Sequence, residues 1–171
     1  EPKVKVNYTK LYSENMFLGE NVAIESTKSQ KFSNQSLKDK ITIVFFGYTS
    51  CPDFCPDTLA RANKIFAKLQ DKDIQLLFIS IDPKDELSKI KKYVEYFNND
   101  FIGLSINNSD VKKLVEKSGV YAKKVSSTGS IDFYDHTGAI FLINKESKLM
   151  GLYTPPIKDE LIISDLSRMT N

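Results

Sequence analysis

Cys51 and Cys55 are the only cysteines in the chain, and they stand four residues apart in the run Gly47-Tyr48-Thr49-Ser50-Cys51-Pro52-Asp53-Phe54-Cys55-Pro56. Sulfurs at i and i+4 are neighbours on one helical face, with Cβ atoms about 5 to 6 Å apart if both residues are helical. A disulfide prefers Cβ atoms about 3.5 to 4.5 Å apart, so closure would need some adjustment of the backbone. Both the dithiol and the disulfide are therefore open to the pair. In the reduced state, two thiolates form a soft chelate suited to Cu(I), and an imidazole would complete a three-coordinate site. His136 is the only histidine in the sequence. Structural zinc needs four ligands drawn from Cys and His, more than this chain owns, and zinc would have to borrow Asp or water. A Cys-His nucleophile is a further possibility, although two cysteines four apart suit chelation or disulfide exchange better than acyl transfer.

The elements around the pair explain why these thiols are predicted to be reactive. Ile41 to Phe46 is apolar at nearly every position and β-branched at its start, as in a strand buried on both faces. From about Asp57, Leu59, Ala62, Ile65, Phe66 and Leu69 recur at spacings of three and four, which predicts an amphipathic helix. A strand ending at Gly47 that feeds such a helix puts both sulfurs at the helix N-terminus. Free N–H groups and the positive end of the dipole lower a thiol pKa there.

A second buried strand is expected over Ile74 to Ile81, closed by Asp82-Pro83, then a helix marked by Leu87, Ile90, Tyr93, Val94 and Phe97. Phe101 to Leu104 reads as a short third strand, and Val111, Leu114 and Val115 as a helix that Asp110 could cap. Strand-helix-strand-helix-strand order implies an α/β fold with parallel crossovers. The polar stretch from Lys123 to Asp132 has neither period and is expected to be an exposed, mobile loop. After it come a hairpin of Ala139–Ile143 with Lys148–Tyr153 and a closing helix carrying Leu161, Ile162, Leu166 and Met169. Upstream, residues 1–15 read as an extended lead-in, and Val22-Ala23-Ile24 with Lys31-Phe32 as a short N-terminal β-hairpin. Residues 16–171 are read as a single domain, since 171 residues at 41% hydrophobic composition supply one core.

The formal charge is +2, and the lysines are interleaved with acids, which argues against a nucleic-acid footprint. No stretch approaches the roughly 20 apolar residues needed to span a bilayer. The chain opens Glu1-Pro2, as expected of a processed product.

With these residues in hand, the sequence resembles the SCO/SenC family of copper-binding, thioredoxin-like assembly factors for cytochrome c oxidase. Phe46 to Pro56 carries the family's Phe-Gly-Phe/Tyr-Thr-x-Cys-Pro-Asp-x-Cys-Pro pattern, Ile79 to Pro83 its Ile-Ser-Ile/Val-Asp-Pro block, and Asp135-His136-Thr137 its later Asp-His-Thr. Thioredoxins proper use Cys-x-x-Cys and a cis-proline where this chain has Asp135-His136-Thr137. Ser50 stands where many family members carry His. The resemblance implies a thioredoxin-like mixed sheet flanked by helices, with Cys51, Cys55 and His136 binding copper as Cu(I) or Cu(II). It implies that the cysteines can also cycle through a disulfide, and that Asp53 and Asp135 orient the ligands. Its implied partner is the copper-site subunit of the oxidase, with another copper chaperone or a thiol reductant as further candidates. The implied setting is a domain tethered by a membrane anchor outside this sequence, facing the bacterial periplasm or, alternatively, the mitochondrial intermembrane space. Copper delivery and reduction of a target's copper-ligating cysteines are both served by the same two thiols, and a redox-signalling role is a third reading.

Overall fold

The structure is a computed structural model that describes residues 5–11, 16–70 and 73–169. Its centre is a pair of parallel strands, β2 (Ile41–Gly47) and β3 (Ile74–Ser80), every residue of which is buried. The near-continuous apolar runs follow from that position, because a strand covered on both faces has no solvent side to make polar. With strand β1 (Thr9–Lys10), β4 (Ile102–Ser105), β7 (Ile140–Ile143) and β8 (Leu149–Tyr153), they form a six-stranded mixed sheet in the order β1-β8-β7-β2-β3-β4. β2, β3 and β4 are parallel, while β7, β8 and β1 run antiparallel along the other edge.

Helices cover the sheet. After the short α1 (Asn34–Leu37), α2 (Phe54–Leu69) crosses from β2 to β3, and α3 (Leu87–Phe97) crosses from β3 to β4. α2 packs on both α3 and the closing helix α5 (Asp159–Met169). Phe45 meets α2 through the Phe54 ring at 5.9 Å and also touches Phe78, while its neighbour Phe46 faces the opposite side against Phe141. Successive side chains on a strand alternate faces, so one dipeptide anchors both layers. This is the α/β, thioredoxin-like architecture that the element order predicts. Among the described residues, no helix is long and apolar enough to cross a membrane.

Several local expectations change. The stretch from Lys123 to Asp132 is not a loop: β5 (Ala122–Thr128) and β6 (Ile131–His136) form an antiparallel two-stranded sheet outside the main one. Every residue of β5 is exposed, so no face is selected for apolar residues and the period of two never appears in the sequence. The readable signal was the turn, where Gly129 at φ 61° with Ser130 makes a two-residue connection. The N-terminal hairpin contracts to a single antiparallel bridge, Ile24 with Phe32, closed by N–H···O bonds of 2.9 and 2.7 Å. Where it is described, the lead-in is extended and partly ordered: Thr9–Lys10 pairs with Gly151 and Leu152 on β8, and Asn7 bonds to the buried Asp165. The remainder of residues 1–15, positions 1–4 and 12–15, lies outside the described residues. Helix α4 (Ser109–Lys117) is capped by Asn108, whose side chain accepts from the Asp110 and Val111 N–H groups, and not by Asp110. On α5, Ile162 and Leu166 are buried as expected, whereas Leu161 is exposed.

Candidate metal centre

The thiol pair sits where β2 stops. The chain turns through Tyr48 and Thr49, and Cys51 occupies the loop before α2 while Cys55 is the second helical residue. Asp53 holds the N-cap position but makes no side-chain capping bond. The Cys51 sulfur takes that part, accepting from the Cys55 N–H at 3.4 Å. A sulfur that caps a helix gains most when it is anionic, because the unpaired N–H groups carry partial positive charge. Pro56 costs the helix nothing in its first turn, where its missing N–H has no partner to lose.

Gly47 makes the close approach possible. A Cβ there would lie 2.8 Å from the Cys55 sulfur and 2.9 Å from the Phe78 ring, so only glycine lets the end of β2 pass under the second thiol. Cys55 is fully buried, and Cys51 is 8% exposed. Both are free thiols.

His136 ends β6, which places it over the pair: its Nε2 is 3.8 Å from the Cys55 sulfur. Its Nδ1 is 3.0 Å from the Thr137 carbonyl. A carbonyl only accepts, so Nδ1 carries the proton and Nε2 turns its lone pair toward the sulfurs. Ligand atoms of Cys51, Cys55 and His136 lie within 4.8 Å of one another, the only such group among the described residues. The hairpin reaches this position through Tyr48. The Tyr48 hydroxyl accepts from the Tyr134 N–H at 3.1 Å and donates to the Tyr134 carbonyl at 3.4 Å, and the two rings pack edge to face at 5.2 Å. Tyr48 and Phe54 also flank the imidazole, with ring centroids 5.8 and 6.2 Å from it.

The electrostatics divide the pair. Hydrogen bonding from Cys55, by its side chain first and then by its N–H, holds the Cys51 thiol far below its ordinary range against the opposing effect of burial. Cys55 moves the other way: its hydrogen bond to Cys51 and its burial, with the Cys51 and Asp85 charges adding, push it up. The pair therefore shares one negative charge, held mainly on the more accessible sulfur. Tyr93, whose hydroxyl has no hydrogen-bond partner among the described residues, is likewise pushed up by burial and then by charge on Cys55, Cys51 and Asp85.

The sequence-predicted aspartates are placed outward. Asp135 is exposed, because neighbours on a strand point to opposite faces and His136 takes the inner one. Asp53 is exposed at the helix start. The Thr137 carbonyl orients the imidazole instead, and Tyr48 orients the strand that carries it. Neither left a residue-type signal: a carbonyl belongs to every residue, and a tyrosine beside a phenylalanine pair reads as packing. A second group that sequence reasoning missed is Asp85, fully buried and bonded to Thr49 in the loop before Cys51. An acid five residues after a buried strand looks like surface until its partners are seen.

The sequence pattern of the SCO1/SenC family matches residues 13–171. A SCO2-like protein of Rickettsia felis is 31% identical over 145 residues, covering 82% of this chain and 71% of that protein. Protein SCO2, mitochondrial, of Saccharomyces cerevisiae is 35% identical over 125 residues, covering 70% of this chain and 42% of that one. Among solved structures, copper-bound ScoI of Bradyrhizobium japonicum superimposes with a TM-score of 0.77 at 30% identity, covering 89% of this chain and 99% of its own. With agreement of sequence pattern over residues 13–171 and of fold over most of its length, the chain belongs to the SCO1/SenC family.

Proposed function

We propose that this chain binds copper through Cys51, Cys55 and His136 and carries it to the binuclear copper site of cytochrome c oxidase. The observation that carries the reading is the convergence of two sulfurs and one lone-pair-bearing imidazole nitrogen within 4.8 Å. The donors fit the cargo: two thiolates and an imidazole suit copper, and a tetrahedral zinc site lacks its fourth ligand. The copper-bound structure of the Bradyrhizobium relative supports the same choice of metal. Family membership supports the assembly role and, with it, a copper-site oxidase subunit as receiver.

The three ligands differ in how easily each can let go. His136 stands on a hairpin outside the main sheet, Cys51 is in the loop, and Cys55 is fully buried at the start of α2. Hand-over by ligand exchange therefore runs in that order, with His136 released as the hairpin lifts, Cys51 exchanged for a thiolate of the receiver, and Cys55 last. The domain would work in the bacterial periplasm, tethered by an anchor outside this sequence. The mitochondrial designation of the yeast relative supports the intermembrane space as the alternative.

A second reading has its own observation. A Cys51 thiolate that keeps a small exposed edge, beside a fully buried, protonated Cys55, is the arrangement of an attacking and a resolving thiol, suited to reducing a receiver's copper-ligating cysteines. Anaerobic Cu(I) titration of the reduced protein against a competing chelator separates the two. Carriage predicts one tightly held copper, weakened in His136→Ala and lost in Cys51→Ser. Equal binding by wild type and His136→Ala removes the three-ligand site. Failure to bind copper together with rapid reduction of a copper-site disulfide establishes the reductase.

A further inference from the structure

Asp85 lies beyond the end of β3 and is completely buried. One carboxylate oxygen accepts from the Thr49 N–H at 2.8 Å and the Ser80 hydroxyl at 2.7 Å. The other accepts from the Thr49 hydroxyl at 2.6 Å and pairs with the Lys89 ammonium at 3.3 Å. Its backbone is fixed too, with the N–H bonded to the Asp82 carbonyl at 3.0 Å and the carbonyl accepting from Ser105 at 3.1 Å. Four donors converge on the carboxylate, the surroundings of an anion.

Its location relative to the thiols follows from the register. Ser80 pairs with Gly47 across β3 and β2, and Gly47 is the residue pressed against the Cys55 sulfur. Thr49, held by two bonds to the carboxylate, is two residues before Cys51. The negative charge thus sits beside the loop that carries the pair, just past Asp82 and Lys84, on which the hairpin of His136 also docks. Lys89 offsets it only in part, since its side chain is half exposed and its charge is screened.

We propose that Asp85 is a positioning residue of the copper site: it pins the Thr49 corner from which Cys51 is presented, and its charge beside that loop biases bound copper toward Cu(II) over Cu(I). The inference rests on the copper reading above. Two thiolates and a neutral imidazole leave the site with one net negative charge around Cu(I) and none around Cu(II). One-electron reduction adds that charge beside a fixed anion in a poorly solvated interior, where like charges repel strongly. No ligand bond need form or break in the step, and the electron comes from an external donor, a redox mediator in the test.

Mediated titration of the copper-loaded protein reads the Cu(II)/Cu(I) equilibrium. Asp85→Asn keeps an acceptor for Thr49 and removes the charge, and is expected to move the equilibrium about tenfold toward Cu(I), a rise of about 59 mV for a one-electron couple. Lys89→Met removes the outer counter-charge and leaves the buried carboxylate intact, and is expected to move it the opposite way, by about threefold. Loosened packing alone would not reverse sign between the two. An Asp85→Asn equilibrium within twofold of wild type, or Lys89→Met shifting in the same direction as Asp85→Asn, overturns the charge assignment. The anchor is read without metal, by amide exchange at Thr49 in the reduced protein: at least tenfold faster in Asp85→Ala supports it, and an unchanged rate overturns it. A wild type that binds no copper overturns the copper reading and the charge assignment with it, while Thr49 exchange still decides the anchor.

Discussion

Tyr48→Phe removes one oxygen atom and tests how His136 is held. The phenyl ring keeps its edge-to-face contact with Tyr134, while both bonds from the hydroxyl to the Tyr134 backbone are lost. A neutral hydrogen bond contributes about 1 kcal/mol, and the 3.4 Å bond is the weaker of the two. A half-buried Tyr134 N–H left unpaired adds to the cost, so the hairpin's docking loses about 1 to 2 kcal/mol. Other contacts also hold β5 and β6 to the body: Tyr134 packs against the core and its hydroxyl reaches Asp82 at 3.3 Å, while the exposed Lys84 reaches Asp132 and the Ser130 carbonyl, both at 3.0 Å, a solvent-screened contribution. If copper needs the docked hairpin, apparent affinity falls with the docked fraction, and a loss of about 1.4 kcal/mol is up to tenfold. Anaerobic chelator competition should therefore show Tyr48→Phe weakened by up to about tenfold, with faster amide exchange along β5 and β6 and intact protection of β2 and β3. In a His136→Ala background the same substitution should lose most of its effect on affinity, since the imidazole it positions is gone and only the hydroxyl's own contact with Cys51 remains. Unchanged affinity with unchanged hairpin exchange, or an equal loss in the His136→Ala background, would refute the argument that Tyr48 presents the imidazole.

Gly47→Ala forces a Cβ to within 2.8 Å of the Cys55 sulfur and 2.9 Å of the Phe78 ring, both in fully buried surroundings. It should destabilise the protein by about 1 to 3 kcal/mol and weaken metal binding together with stability; chemical denaturation showing wild-type stability would contradict the packing described. The Cys51 thiol, lowered from 9.0 to about 4 chiefly by its hydrogen bonds from Cys55, ties stability to pH. A depressed pKa means that the unfolded chain binds the extra proton in this window, so the contribution is fully present above about 9 and is lost as pH falls toward about 4. Reduced wild type should gain stability over Cys51→Ser as pH rises across that range, and parallel denaturation midpoints at all pH values would show that Cys51 is an ordinary thiol.

Much of the scaffold was readable because the buried strands advertise themselves. Ile41 to Phe46 and Ile74 to Ile81 have no polar face to confuse the pattern, and α2 and α3 carry clear apolar stripes. The β5–β6 hairpin was not readable from periodicity, since pairing through the backbone alone leaves all of β5 exposed and its side chains unconstrained. Asp53 and Asp135 illustrate a different difficulty. Adjacency in sequence to a ligand suggested contact with it, but a helix start and the alternation of a strand turned both carboxylates outward.

The sequence by itself determined the donor set: two thiols four apart at a strand-to-helix junction, one imidazole, and too few Cys and His for structural zinc. It also determined the central strands that bring that junction to the end of the sheet. Only the tertiary structure decided that His136, 81 residues from Cys55, closes over the pair. It alone assigned the orienting parts to the Thr137 carbonyl, the Tyr48 hydroxyl and the buried Asp85. The reason is physical. Chemistry resides in residue types and local spacing, which a sequence displays, whereas orientation and charge at the site come from groups brought together by chain folding, whose identities carry no mark of it until they meet.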